Sequence, residues 1–329
     1  MRRVDVISQI PSGVWERERP ADSTRTVTHT MAPVDADIHV VYGIRQPLKI
    51  PNSSRNIVFV ASEPPDIRVY NTEVLARYGA VVGPPYKYLS DLPNFHPITA
   101  IAPWWVGVKA GGEAHYASVD GSVTLGREDF ERGFSPQRDV VTTIVSQKNQ
   151  TPLQQQRLRL VDYLSAHLSQ FEVYGLAAKQ VEDKADVLGT SRYHVAIENS
   201  SHPGYWTEKL SDPILMDNVV FYGGHPSVSN YFSRESVLTI DPWNPEETYR
   251  AISEAREKKT WEATADARGT NRKALLDRLS FHRELSRFLS QHEWEASQGV
   301  TTVIPAQHPK NRMKKLADPL YRRLFPAKE

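Results

Sequence analysis

The residues best placed to do chemistry lie between positions 192 and 224, which read RYHVAIENSSHPGYWTEKLSDPILMDNVVFYGG. Val195, Ala196 and Ile197 are apolar in a row, as in a buried parallel strand. The polar run Glu198-Asn199-Ser200-Ser201-His202-Pro203-Gly204 ends that strand. Thr207 is a good N-cap, and Glu208-Lys209-Leu210 can open a helix behind it. Residues 219–222 read as a second strand, and Gly223-Gly224 as a turn where backbone can approach a ligand. Charged and amide groups therefore gather past the carboxyl end of a strand, at a helix N-terminus, where open α/β sheets bind ligands. Lys209 in a first helical turn opposes the helix dipole by ~0.3–1 kcal/mol. A bound diphosphate would resolve the conflict, because Lys209 and backbone N–H groups would face one anion. Without an anion, the neighbouring Glu208 offsets the charge.

Two further groups stand out. Glu63 follows the apolar run 57–61 (IVFVA) and precedes Pro64-Pro65, which stop any helix or ladder and stiffen the turn. A carboxylate is thus held at a strand's carboxyl end, either as a working group or as a solvated loop residue. Arg157 lies one turn into an expected helix carrying Leu153, Leu160, Val161 and Leu164 on one side. Asp35-Ala36-Asp37 has the DxD spacing of metal-dependent glycosyltransferases, but it comes before its strand and reads as a turn. Trp104-Trp105 could stack on a sugar or be buried in a core.

The elements that must position these groups alternate. Strand-like runs at 4–7, 38–42, 57–61, 80–82 and 98–102 precede a strongly β-branched run at 140–145 and another at 171–174. Helical patterning is clearest at 68–78 and after Asn244-Pro245, a capping residue followed by a first-position proline. Gly269 is expected to interrupt the helix that runs to about residue 268, with a second from about 272 to 294. Alternating β and α predicts an α/β fold with parallel sheets covered by helices. The 329 residues suit two domains. The segment 109–138 is long for a connection and either functional or mobile. A net charge of +1 makes nucleic acid an unlikely partner, and the lack of cysteine excludes a disulfide framework and fits a reducing compartment. Residues 4–7 read as a first strand rather than as part of a signal peptide, and no run is apolar enough to span a bilayer. The sequence therefore predicts a cytoplasmic protein. Its basic tail, with seven Lys or Arg against two acids over 310–329, could lie on the inner face of a membrane or dock on the protein.

The run E-N-S, a spacer and then Y-W-T-E-K-L (Glu198 to Leu210) resembles the C-terminal signature of glycosyltransferase family 10, the α1,3/α1,4-fucosyltransferases, in their soluble bacterial or phage-like form. Arg157, Tyr193, Phe221-Tyr222-Gly223, Tyr231-Phe232 and Ser236 to Asp241 match in order, with a weaker match around Glu63. The resemblance implies a GT-B architecture: two Rossmann-like domains whose parallel sheets face a cleft, with C-terminal helices. Expected boundaries are 1–138 for an acceptor-side domain, 139–300 for a nucleotide-sugar donor domain and 301–329 for the tail. It implies inverting transfer of fucose from GDP-fucose, with no obligatory cofactor or metal, to a glycan such as a lipopolysaccharide or capsular chain. Arg157 and Lys209 would bind the diphosphate; Asn199, Tyr205 and Glu208 would contact donor sugar or ribose; Glu63 would be the general base. Glu198 and Glu208 have nine intervening residues rather than the seven of paired glutamates in retaining enzymes. The chain departs from the family where Pro213 is expected to interrupt the helix and Asn218 to take a left-handed cap. Another nucleotide sugar, another acceptor such as a modified nucleobase, or a silent sugar-nucleotide or glycan-binding role are the alternatives.

Overall fold

The computed structural model describes residues 2–20, 26–44, 46–109, 122–175, 179–296 and 299–305. From the N-terminus the chain runs β1 (Arg3–Ile7), α1 (Ser12–Glu16), β2 (Thr26–Thr30), β3 (Ile38–Tyr42), β4 (Leu48–Ile50), β5 (Ile57–Val60), α2 (Thr72–Leu75), β6 (Ala80–Gly83), α3 (Lys87–Ser90) and β7 (Phe95–Pro97). It continues through α4 (Arg127–Arg132), β8 (Arg138–Ile144), α5 (Pro152–His167), β9 (Phe171–Tyr174), α6 (Lys184–Leu188), β10 (Ser191–Ile197), α7 (Glu208–Leu215) and β11 (Val219–Gly223). The last elements are β12 (Val237–Thr239), α8 (Pro245–Glu257), α9 (Thr260–Ala263), α10 (Ala265–Asp277), α11 (Phe281–Gln291) and β13 (Thr302–Ile304).

Two compact units result. The first holds the described residues of Met1–Gln9, Thr24–Ile98 and Ser290–Glu329; the second holds those of Ile10–Ser23 and Thr99–Leu289. In the first, six strands in the order β2-β1-β3-β5-β6-β7 are all parallel, and β13 pairs antiparallel with β4 in a separate two-stranded sheet. In the second, the order β12-β11-β10-β8-β9 is also all parallel. The fold class is therefore α/β with two parallel sheets. The described residues of 99–138 pack in the second unit because Trp104, Val106 and Phe130 share a core with Leu210, Leu215 and Leu275.

The strand period of two explains how the second sheet is covered. Tyr193, Val195 and Ile197 of β10 face a core with Leu160 and Leu164 of α5 and Ile252 of α8. Ala196, between them, faces the other core, with Leu210 and Ile214 of α7. Both faces are buried there, so Val195-Ala196-Ile197 of β10 read as a continuous apolar run rather than as an alternation.

Several local expectations shift. The helix at 68–78 shrinks to α2, whose cap Asn71 accepts the Glu73 N–H at 3.0 Å. Residues 98–102 form no strand; the pairing lies earlier, at β7. Pro213 sits inside α7, which continues to Leu215. The left-handed residue after it is Asp217 (φ 66°), not Asn218. Gly269 lies within α10, and the breaks fall instead at Lys259, with φ 49°, at Thr264 and between Asp277 and Phe281, so the expected helix at 272–294 is also divided. Among the described residues no helix is long and apolar enough to cross a membrane.

Candidate active site

In the second sheet the strand order reverses between β8 and β10, and the carboxyl ends of these neighbours are where a doubly wound sheet binds ligands. Past β8 come Ser146 and Lys148; past β10 come Glu198 and Asn199. The Glu198 N–H donates to Gly223 O at 3.0 Å, carrying the ladder one step beyond β10. Side-chain alternation then sends Glu198 to the α7 side and Asn199 to the α5 side.

Arg157 of α5 meets the second of these. Its Nη1 donates to Asn199 Oδ1 (3.2 Å), and its Nη2 to the carbonyls of Ser146 and Lys148 (3.1 Å each). One guanidinium thus ties together the ends of β8 and β10. It is buried, and its Nε has no hydrogen-bond partner among the described residues. Burial lowers the Arg157 pKa, with Glu198 opposing. The helix is set by a capping box: Thr151 Oγ1 accepts the Gln154 N–H at 3.1 Å, Gln154 Oε1 accepts the Thr151 N–H at 3.1 Å, and Pro152 takes the first position. Thr151 Oγ1 also donates to Asn199 O at 2.6 Å, which fixes the α5 entrance against the β10 exit.

On the α7 side, Glu198 is fully buried. Its Oε1 accepts the Thr207 N–H (2.8 Å), and both its oxygens accept the Thr207 hydroxyl (3.0 and 2.8 Å). Thr207 caps α7 through the Lys209 N–H at 3.4 Å. Lys209 Nζ folds back over this cap, 3.2 Å from Thr207 Oγ1, 3.0 Å from Glu208 Oε1 and 3.8 Å from Glu198 Oε2. Here the cation in the first helical turn is offset by carboxylates of the chain itself, one of the two arrangements the sequence left open. Burial opposes the Lys209 charge, but Glu208 and Glu198 outweigh it and hold its pKa above the ordinary value. Burial would also raise Glu208, yet Lys209 and Lys184 bring it down to about 2. Glu198 goes the other way: burial lifts it, with Lys209 opposing.

The remaining sequence candidates divide. Tyr205 is buried, its carbonyl accepting Tyr222 Oη–H at 3.4 Å. Trp104 is a core residue, edge-on to Phe130 with centroids 5.7 Å apart. Trp105 is half-buried, its N–H donated to Asp212 Oδ1 at 3.0 Å. Glu63 lies on the first unit, half-buried past β5, its N–H donated to Tyr70 Oη at 3.0 Å. Asp35 and Asp37 sit in the turn before β3; Arg3 Nη2 lies 3.0 Å from Asp35, and the Arg3 N–H donates to Asp37 at 2.7 Å. The basic tail and residues 110–121 lie outside the described residues. Sequence reasoning missed Lys184, which is buried with its Nζ 2.7 Å from Asp212 Oδ2, and it gave Glu198 no role.

The chain is a glycosyltransferase of the GT-B class. More particularly, residues 134–260 match the model for the C-terminal part of glycosyltransferase family 10 (fucosyltransferase), a span that contains Arg157, Asn199, Tyr205, Glu208 and Lys209. An α1,3-fucosyltransferase crystallised with GDP-fucose superposes with a TM-score of 0.51 at 16% identity, over 90% of this chain and 92% of that one. The same enzyme class with GDP gives 0.51 at 16%, over 88% and 89%. An α-glucosyltransferase in complex with UDP and a 13-mer DNA gives 0.52 at 8%, over 88% and 99%. No curated protein is similar enough in sequence to count as a match.

Proposed function

We propose that the chain transfers fucose from GDP-fucose to a glycan hydroxyl with inversion at the anomeric carbon. The acceptor oxygen attacks that carbon as its bond to the diphosphate breaks, and GDP leaves with the bonding electron pair. Arg157, Lys209 and the backbone N–H groups at the start of α7 receive the developing negative charge. Asn199, Tyr205 and Glu208 orient the ribose or the sugar. Glu63 takes the acceptor proton as general base. On this reading the second unit serves the donor and the first the acceptor, in the cytoplasm, with a lipopolysaccharide or capsular chain as the glycan.

One observation carries the proposal. The family-model match falls on the part of the chain whose sheet reverses order beside Arg157 and whose α7 begins with Thr207, Glu208 and Lys209. The fold by itself does not select the donor, since a UDP-bound α-glucosyltransferase superposes as well as the fucosyltransferases do. That likeness keeps a second reading, transfer of another nucleotide sugar to another acceptor. A thermal-shift screen separates them, because a ligand of the folded state stabilises by RT ln(1 + [L]/Kd), about 2.7 kcal/mol at a hundredfold excess over Kd. GDP-fucose should raise the melting temperature and UDP-glucose should not; the reverse result would replace the donor.

A further inference from the structure

A ladder of alternating charge runs through the second unit. Glu198 Oε2 lies 3.8 Å from Lys209 Nζ, which lies 3.0 Å from Glu208 Oε1. Glu208 Oε1 lies 4.0 Å from Lys184 Nζ, and Lys184 Nζ lies 2.7 Å from Asp212 Oδ2. The far end is tied to main chain, because Asp212 Oδ1 accepts the Trp105 N–H at 3.0 Å. Lys184 opens α6, whose cap Asp183 accepts the N–H groups of Ala185 and Gly107 at 2.8 Å each. The ammonium is thus held on a fixed element, and its burial costs desolvation that its two carboxylate partners must offset. Those partners, Glu208 and Asp212, stand four residues apart on one face of α7.

We propose that Lys184 is a positioning residue for Glu208: it bridges Asp212 and Glu208 across one turn of α7 and holds the Glu208 carboxylate as a hydrogen-bond acceptor for hydroxyl groups of the bound nucleotide sugar. The proposal rests on the reading that Glu208 contacts ribose or donor sugar. The groups facing Glu208 are Thr207, Lys209 and Asp212 on its own element, Lys184 on α6 and Glu198 past β10. Two of them are cations. When Lys209 turns to a diphosphate, Lys184 becomes the cation that keeps Glu208 ionised and in place. With both cations present, Glu208 is held down to about 2, so donor binding by the wild-type protein should owe no pH dependence to Glu208 between pH 5 and 7.

The test measures binding of GDP-fucose, GDP and inorganic pyrophosphate by calorimetry at pH 5 and 7. Lys184→Met alone strips Asp212 of its partner and can unfold the chain. The double variant K184M/D212N removes both charges together and keeps an amide oxygen for the Trp105 N–H. In the double variant GDP-fucose should bind about tenfold more weakly than to wild type at pH 5, with a smaller loss at pH 7, since one pH unit is tenfold in protonation. Pyrophosphate should bind within about twofold of wild type, because it carries neither the ribose nor the sugar hydroxyls that Glu208 would hold. Lys184→Arg should restore affinity and pH profile. A loss shared by GDP assigns the contact to ribose; a loss confined to GDP-fucose assigns it to the sugar. The proposal is overturned if the folded double variant matches wild type for GDP-fucose at both pH values, or if pyrophosphate is weakened equally. If Glu208→Gln also binds GDP-fucose normally, the Glu208 contact itself has failed. If Glu208→Gln weakens binding and the double variant does not, only the role of Lys184 has failed.

Discussion

Replacing Lys209 with Met leaves a fully buried carboxylate, Glu198, whose hydrogen-bond partners among the described residues are the Thr207 N–H and hydroxyl. Removing one member of a buried ion pair typically costs about 3–5 kcal/mol. Here protonation of Glu198 limits the cost. Relative to an unfolded carboxylate at 4.5, holding it protonated at pH 7 costs about 2.5 pH units, or about 3.4 kcal/mol, and at pH 5 only about 0.7 kcal/mol. Burial already raises Glu198 in the wild-type chain, so these figures are ceilings on the difference between the two proteins. The sign follows from linkage. A carboxylate whose folded pKa exceeds its unfolded one stabilises fully below the unfolded value and loses that contribution as pH rises through the folded value. Lys209→Met moves the folded value of Glu198 further up, so the destabilisation grows from pH 5 to pH 7. Glu208 behaves oppositely: its depressed pKa contributes stability that is already nearly complete at pH 5, so its loss adds almost equally at both pH values and cancels from the comparison. Urea denaturation at the two pH values should therefore show the variant less stable at both, with the gap about 1–3 kcal/mol wider at pH 7. Adding Glu198→Gln should flatten that dependence. A gap of the same size at pH 5 and 7, or one that Glu198→Gln leaves unchanged, refutes the internal balancing of Lys209.

Glu63→Gln should lower kcat by about 10²–10⁴-fold in steady-state transfer assays while GDP-fucose affinity by calorimetry stays close to wild type. Thr207→Ala removes the α7 cap and the hydroxyl that donates to Glu198 while keeping the N–H at residue 207, and should cost about 1–3 kcal/mol in urea, with Thr207→Ser recovering most of it. Asp217→Ala leaves Arg268 and Arg272 without the carboxylate they reach at 3.2 and 2.7 Å, and sets alanine at φ 66°. Thermal melts should show a loss of about 3–5 kcal/mol. Asp217→Asn should lose less, because Asn tolerates the left-handed region.

The parallel strands were legible because buried runs such as Ile57–Val60 and residues 140–143 are rich in β-branched residues. The edge strands were not. Thr26–Thr30 carries a single apolar residue, Val27, on a half-exposed edge, and Phe95–Pro97 is three residues ending in proline. Pro213 misled the reading of α7, because a proline removes one helical N–H but need not end a helix whose apolar face is buried, as it is here by Leu210, Ile214 and Leu215. Thr207, Glu208 and Lys209 were legible as a cap and first turn because that chemistry is local. Glu198 was visible as a charge past a strand, and only the strand's period of two places it against Thr207 rather than in solvent. Lys184 was hidden among Glu182, Asp183 and Asp186, a run that reads as a solvated acidic face. Its partner Asp212 lies 28 residues further on, so its burial is a tertiary fact with no local signal.

The central claim is that Arg157 and Lys209 hold the diphosphate of GDP-fucose, and calorimetric titration of that donor into wild type, Arg157→Ala and Lys209→Met, each confirmed folded, tests it most directly. On that reading each cation would make charge-assisted bonds worth about 1.5–3 kcal/mol, so either variant should bind GDP-fucose about ten- to a hundredfold more weakly than wild type. Undiminished GDP-fucose binding by both folded variants, or no binding of GDP-fucose by the wild-type protein, would contradict it.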